Sequence, residues 1–446
     1  MVAPKWLGQK IAVPQQDTIT IANNWDTADT VTVTINGKSL TATIGTDDTT
    51  GGVAIAVKEM INGDTQTGTG DHVFSETGDR VGEFAKLTAT VSGDVVTVTG
   101  PDDGQSFTMT ATESTYDTGT ATRAAAVTAE SPHDWSDGDN WDTGTAPAAA
   151  DTVTIENTSV PIKYGLDQNT VTLASLTIKA SVQEGFYIGL PDINTDAGSY
   201  PHEEYLETHL KIGITNLYIG QGEGSGPARV RLNTGAVKCT MEIYATNTSL
   251  DTDLPPIQWL GTHTDNVIRV VSGHLGVGIL GESANFETLT VGYQSSQASD
   301  STVEIGDSVT HKAGGTITQA GGTIKSESAL IALNQAYGAT LYLRGTATAT
   351  TLDIGGTFYD ETSGTITTLN VYPSGVFDKR GNAQAQTISN ANAYPGSYWW
   401  DPLATVAWSA GIDCHGCSIN RAVDDPVLPG IGGDLGRHLT WTPSTI

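Results

Sequence analysis

The sequence predicts a mainly β protein: a small α+β module at the N-terminus, followed by a parallel β-helix, or solenoid. Three observations carry that expectation. Roughly 15% of the 446 residues are threonine and 51 are glycine, strand and turn formers, whereas Met (4) and Lys+Arg (21) are scarce. Alternating apolar runs recur between clusters of Gly, Asn, Asp and Ser. One form also returns along the chain: Ser175-Leu176-Thr-Ile178, Asn216-Leu217-Tyr-Ile219, Thr288-Leu289-Thr-Val291, Thr351-Leu352-Asp-Ile354 and Thr368-Leu369-Asn-Val371.

Residues 1–16 lack a strand pattern and read as a docking arm. Lys5, Trp6, Leu7 and Lys10 offer two cations and an apolar anchor on an otherwise acidic chain, and a terminus orders only when tied down. Residues 17–112 read as a ββαββ module with one extra strand. Its first hairpin joins Asp29–Ile35 to Ser39–Ile44 through Asn36-Gly37, a strong two-residue turn signal. Thr49 or Thr50 can cap a helix whose Val53, Val57, Met60 and Ile61 share one face. A second hairpin, 84–91 with 95–99, turns at Ser92-Gly93-Asp94, and Phe107–Thr110 closes the module. Residues 113–133 lack a core pattern and read as a linker or a final edge strand.

Residues 134–395 read as the solenoid. Ile317, Leu333, Leu352 and Leu369 are separated by 16, 19 and 17 residues. At roughly 3.3 Å per residue, some 17 residues make three short strands and their corners, one coil of a parallel β-helix. Such a coil cannot bury its apolar face alone, so Leu289, Leu333, Leu352 and Leu369 are expected to stack inward. Insertions before about residue 285 leave the earlier coils unphased. A series of β-sandwiches is the alternative fold, because evenly spaced short strands suit it too. Residues 396–446, with Trp399, Trp400, Trp408 and Trp441, read as an aromatic cap over the open solenoid end.

The formal net charge of −29 argues against nucleic acid as a partner, because phosphate binding needs a basic surface. No stretch approaches the roughly 18 apolar residues of a membrane helix, so no membrane partner is expected. No apolar run follows Lys5 and Lys10, so no secretory signal is read, and a complete chain would be made and kept in the cytoplasm. Three cysteines cannot build a disulfide framework.

Several motifs carry chemistry in principle. Asp134, Asp137, Asp139, Asn140 and Asp142 are dense enough in oxygen to hold a structural divalent cation such as calcium, although they lack EF-hand order; turn residues bonding their own backbone are the competing account. Cys414-His415-Gly416-Cys417 has the C-x-x-C spacing of a metal or redox site, but Cys239 and His438 are too distant in sequence to complete a ligand set by pattern; buried solenoid cysteines are the plainer account. Gly222-Glu-Gly224-Ser-Gly226 looks like a phosphate loop without a following helix, and a wide glycine corner explains it better. His202-Glu203-Glu204-Tyr205-Leu206-Glu207-Thr208-His209 separates its histidines by seven, not four, and reads as a solvated strand. Tyr187, Tyr342, Phe358, Tyr359 and Tyr372 form a candidate sugar-binding strip, with core and corner packing as the alternative. No catalytic residue is assigned: no G-x-S-x-G elbow occurs, and carboxylate pairs between coils arise in any acidic solenoid.

Two stretches carry a resemblance. Trp135…Asn140-Trp141…Gly144…Pro147…Asp151-Thr-Val153-Thr-Ile155 resembles the opening of bacterial surface and adhesin-like β-solenoids. The N-terminal module, with Asp29-Thr-Val-Thr-Val-Thr-Ile35-Asn-Gly-Lys38, is similar to small modules of tailed-phage and prophage virion proteins, and Ala3–Gly8 and Gly222–Gly226 are similar to stretches of prophage-associated proteins of this architecture. The resemblance implies a virion structural protein, a head decoration or a tail-attached fibre or spike serving assembly, stabilisation or host attachment. It implies other virion proteins of capsid or tail as partners, self-association as a homotrimer, host-surface glycan as a further partner, synthesis in the host cytoplasm and residence in the virion. It supplies no catalytic residues and no cofactor, so the chain is not expected to be an enzyme. A polysaccharide-degrading β-helix tailspike or lyase, and a bacterial surface adhesin, are the alternative functions.

Overall fold

The computed structural model describes residues 3–45, 49–64, 72–75, 82–114, 118–190, 207–251, 253–292, 300–421 and 440–441. A long parallel ladder accounts for most of them, and a small antiparallel α+β module precedes it. Sandwich sheets are antiparallel, so the parallel pairing excludes the sandwich alternative.

The module holds two four-stranded antiparallel sheets. Strands β1 (Gln16–Ala22), β2 (Thr30–Ile35) and β3 (Lys38–Thr43) lead to helix α1 (Thr50–Asn62); β4 (Val73–Phe74), β5 (Thr88–Ser92), β6 (Val95–Thr99), β7 (Met109–Ser114) and β8 (Thr120–Val127) follow. The sheet orders are β5-β6-β1-β8 and β4-β3-β2-β7. Asn36 and Gly37 both take positive φ (47° and 89°), which lets β2 and β3 pair across two residues. Thr49 Oγ1 accepts the Gly52 N–H at 3.2 Å to cap α1, and Gly63 ends it in the left-handed region. Val53, Val57, Met60 and Ile61 are buried in the core that both sheets share.

Two expected boundaries move. Of the two readings of residues 113–133, the final edge strand holds and the linker does not: β8 pairs antiparallel with β1 through Ala22↔Thr120 to Gln16↔Val127, so the module runs from β1 to β8. Residues 84–87 are not strand either, since a 3-10 turn covers Gly82–Phe84 and β5 starts at Thr88. The chain on both sides of the module lies together. Val13 N–H donates to Glu130 O (2.8 Å) and Glu130 N–H to Val13 O (3.1 Å), so a two-chain neck carries the module as an insertion near the solenoid's first coil.

The solenoid opens with β9 (Thr152–Ile155), β10 (Asp167–Lys179) and β11 (Leu210–Gln221). From Val230 to Ala393 each strand pairs in parallel with the strand two places later, so a coil there contributes two strands rather than the expected three. The coil Val406–Arg421 contributes three, two over Gln386–Ala393 and one over Tyr398–Asp401. The expected third side survives as a bend: the ladder runs Leu330↔Ala349 and resumes at Ala332↔Thr351, while the Ile331 N–H at the corner donates to His311 Nδ1 at 3.0 Å.

One interior column unites the repeat: Val153, Leu176, Leu217, Met241, Ile268, Leu289, Ile317, Leu333, Leu352 and Leu369 pair in sequence, all buried. The four leucines point inward as expected, and the same register phases the coils before residue 285 that the spacing left open. Buried amides close the corners: Gln335 Nε2 donates to Gln319 Oε1 (3.2 Å), and Gln335 Oε1 accepts the Gly356 N–H (3.1 Å).

The solenoid does not stop at residue 395. Tyr398–Asp401, Val406–Trp408, Ile412–Cys414 and Ser418–Arg421 continue the ladder. Trp399 and Trp408 fill the interior against Phe377, with ring centroids 5.1 and 6.4 Å away, so these aromatics are core rather than a separate plug. Trp400 faces outward beneath the Arg380 guanidinium at 3.6 Å. Thr440–Trp441 adds a last parallel pairing; the rest of 422–446 lies outside the described residues.

Candidate functional site

In a parallel ladder, side chains on the outer face line up coil over coil, so register alone builds surface columns. On the sheet containing Gly273–Val277, Ser301–Ile305, Thr323–Ser326 and Thr340–Gly345, one such column reads Gly276, Glu304, Lys325, Tyr342, Tyr359, Asp378, Trp400. Its upper part floors a recess of about 310 Å³. Leu254, Pro255, Ile279 and Leu280 line it together with Glu304, Lys325 and Arg344. Gly276 leaves room there: a Cβ would sit 3.0 Å from Pro255 Cγ and 3.1 Å from two carbons of Ile279, so a larger residue would have to push those side chains aside. Leu280 is 59% exposed at the rim and takes φ +61°, an uncommon conformation for a residue with a Cβ.

Glu304 is the electrostatic centre of this recess. Its Oε1 lies 3.2 Å from His274 Nε2 and accepts from Lys325 Nζ at 2.7 Å. The His274 contact, then Lys325, hold its carboxyl down to about 2 against the opposing effect of burial. A carboxylate that stays ionised cannot act as a general acid at neutral pH, so Glu304 serves as a fixed anion that positions Lys325 and His274. Arg344 donates to Glu361 at 2.8 Å and lies over the Tyr342 ring at 5.4 Å. The arrangement can bind and orient a polar ligand against an apolar wall.

The aromatic strip is divided between surface and core. Tyr342 and Tyr359 stack on each other at 4.7 Å, Tyr372 stacks on Tyr394 at 4.8 Å, and the Tyr187 ring lies under Arg229 at 4.2 Å. Phe358 is fully buried. Stacking covers one face of each of these paired tyrosines.

The docking arm and the acidic cluster satisfy each other. Trp6 is 2% exposed and forms an edge-to-face row with Trp141 (5.1 Å) and Trp135 (4.8 Å from Trp141). Thr154 N–H donates to Pro4 O at 3.0 Å and Trp6 N–H to Thr154 O at 3.3 Å, so the arm supplies a strand-like edge to β9. Lys5 N–H donates to Asp142 Oδ1 (2.8 Å) and Lys5 Nζ to Glu156 (2.8 Å), an ion pair that raises the Lys5 pKa. Lys10 Nζ lies 2.8 Å from Asp139, 3.3 Å from Glu130 and 3.8 Å from Asp137; the Asp139 contact foremost raises its pKa. Leu7 stays partly open, 39% exposed.

Asp134, Asp137, Asp139 and Asp142 do not form a cation site. Asp134 Oδ1 accepts the Ser136 N–H at 2.7 Å and Asp137 Oδ1 the Asp139 N–H at 3.0 Å, while Asp139 and Asp142 face the arm as above. Burial raises the Asp134 pKa. Among the described residues no group of three or more His, Cys, Asp or Glu could hold a metal ion. Backbone N–H groups of their own turns and of the arm, together with Lys10 Nζ, engage one oxygen of each aspartate.

The other motifs resolve structurally. Gly224, at φ +137°, approaches Ala180 so closely that a Cβ would lie 2.1 Å from its carbonyl oxygen, and Gly226 N–H donates to that oxygen at 3.1 Å, a glycine corner. Residues 202–206 lie outside the described residues. His209 is buried with its pKa pushed down to about 3 by burial, then by Arg231 and Lys211, so it is neutral. Cys414 and Cys417 are joined as a disulfide rather than two buried thiols.

Sequence reasoning did not find His274, Glu304 and Lys325, nor the buried pairs Arg229–Asp251 (2.7 Å) and Lys379–Asp360 (3.5 Å). Only the coil register brings these residues together, and each partner stands 19 to 30 positions from the next. No known protein family, curated protein or solved structure matches the chain. The fold therefore defines a class only: a parallel β-solenoid carrying an inserted α+β module.

Proposed function

We propose that the chain is a structural component of a virion of the tailed-phage or prophage type, a head decoration or a tail-attached fibre or spike. The observation that carries this reading is the arrangement at the first coil, where a compact module hangs on a two-chain neck from a long solenoid. A solenoid is a quasi-one-dimensional spacer whose coils contact only their neighbours. The module is suited to seat the protein on capsid or tail proteins, and the solenoid to present a surface away from them, where host glycan can be met. Since the arm is used to close the first coil, docking falls to the module. A homotrimer belongs to the same reading and rests on the resemblance to phage spikes.

The neck makes this testable. Replacing residues 14–129 with a short Gly/Ser turn joins two chain ends that already hydrogen-bond, so the solenoid should fold with its cap intact. Mass spectrometry of purified particles should find the full-length chain and not this variant. Equal incorporation of both would overturn the docking role.

The Glu304 recess, beside a column that continues through Tyr342 and Tyr359, favours a second reading as a glycan-binding or glycan-degrading solenoid. On the structural reading, incubation with host-surface polysaccharide leaves its chain length unchanged. Release of reducing ends or unsaturated sugars, lost in Lys325→Ala, would replace the structural reading with the enzymatic one.

A further inference from the structure

We propose that Cys414 and Cys417 form a redox latch on the last corner of the described ladder, open in a reducing compartment and closed in an oxidising one. Their Cα atoms lie 5.9 Å apart, bridging the end of Ile412–Cys414 to the start of Ser418–Arg421. The corner between them, His415-Gly416, carries Gly416 at φ +97°. It rests on the coil below through three backbone bonds: His415 N–H to Ala393 O (2.9 Å), Gly396 N–H to Gly416 O (3.1 Å) and Ser418 N–H to Ser397 O (3.0 Å). Among the described residues Ile412–Cys414 pairs on one side only, with Gln386–Ala393. A three-residue strand held from one side is where a solenoid frays, and the bridge acts at that point.

The two sulfurs are placed unequally. Cys417 is 1% exposed in the apolar core, whereas Cys414 is half-buried against it. Opening by a small thiol such as dithiothreitol begins with its thiolate attacking Sγ of Cys414. The S–S bond breaks, its electron pair leaves on Sγ of Cys417, and that sulfur takes up a proton. A second thiol then displaces the mixed disulfide, so two cysteine thiols and one oxidised small disulfide result. Closing is the reverse, with a small disulfide such as oxidised glutathione as oxidant. Cys239 cannot divert the exchange: it is buried in another coil, and burial pushes its thiol up to about 12, leaving little thiolate to attack.

Hydrogen exchange on the full chain, with and without dithiothreitol, tests the latch. Reduction should speed amide exchange in 412–421 by roughly tenfold, the scale of closing a four-residue ring, and leave Ala349–Ile354 and Ile366–Val371 unchanged. Cys414→Ser with Cys417→Ser should exchange at the reduced rate whatever the redox state. Alkylation after denaturation should count one thiol in the oxidised chain and three in the reduced one. Identical exchange in both states, or three thiols in chain purified without reductant and exposed to oxidised glutathione, would overturn the proposal.

Discussion

Trp6→Ala should loosen the first coil of the solenoid at a cost of about 3–5 kcal/mol, the range for deleting a large buried aromatic. Trp6 fills the interior beside Trp141 and Trp135, and its indole N–H donates to Val160 O at 3.0 Å, so both the apolar and the polar ends of the ring are used. Its edge-to-face contact with Trp141 adds about 0.5–1.5 kcal/mol to the area buried. Because coils are coupled mainly to their neighbours, the loss should be local. Hydrogen exchange should rise in 135–155 and around Leu176, while Leu333–Leu369 keeps its protection. A partner-binding tryptophan would behave oppositely: its removal would leave the free chain unchanged and weaken only particle binding. Unaltered exchange across 135–155 in Trp6→Ala would show that the arm does not close the coil.

The contrast between arm and solenoid shows what can be read from one sequence. The inward column was legible where Leu333, Leu352 and Leu369 recur at coil spacing, because each coil repeats the same burial requirement over a short interval. It became illegible before residue 285, where excursions such as 222–229 and 244–256 lengthen the coils without altering the ladder: Leu217, Met241 and Ile268 still pair in register. The arm and the aspartates were visible as charges but not as partners. Lys10 meets Asp139 across 129 residues, and no spacing rule reports a contact made by bringing two chain ends to one cap. Strand β8 was left open between linker and edge strand for a different reason: its Arg123–Ala126 stretch is exposed on both faces and so lacks the alternation that marks a half-buried strand.

At pH 7, Lys379→Met should cost about 3–5 kcal/mol, the penalty for stripping the partner from a buried charge. Lys379 and Asp360 are each 1% exposed inside the solenoid, with Lys379 Nζ 3.5 Å from Asp360 Oδ2. Asp360 Oδ1 accepts from Gln386 Nε2 at 3.1 Å and from the Thr362 N–H at 3.3 Å. Burial nonetheless dominates and pushes the Asp360 carboxyl up to about 6, with Lys379 the main influence pulling it back. An unfolded aspartate titrates near ~3.9, so between that value and about 6 the folded chain holds a proton the unfolded chain has released. The stability contributed by this group is therefore fully present below the unfolded value and is lost as pH rises through the folded one. Removing Lys379 removes the downward pull, so the folded value climbs and the loss extends to higher pH. The penalty of Lys379→Met should then be largest at pH 8 and shrink at pH 5, where Asp360 is protonated. Asp360→Asn combined with Lys379→Met should recover most of the stability and show a flatter pH dependence than Lys379→Met alone, because no buried charge remains to titrate. Urea midpoints of the wild type and both variants at pH 5, 6, 7 and 8 separate this group from the many surface carboxylates, which all three proteins share. An equal penalty for Lys379→Met at pH 5 and pH 8 would mean that lost packing, not an unpaired carboxylate, governs the site.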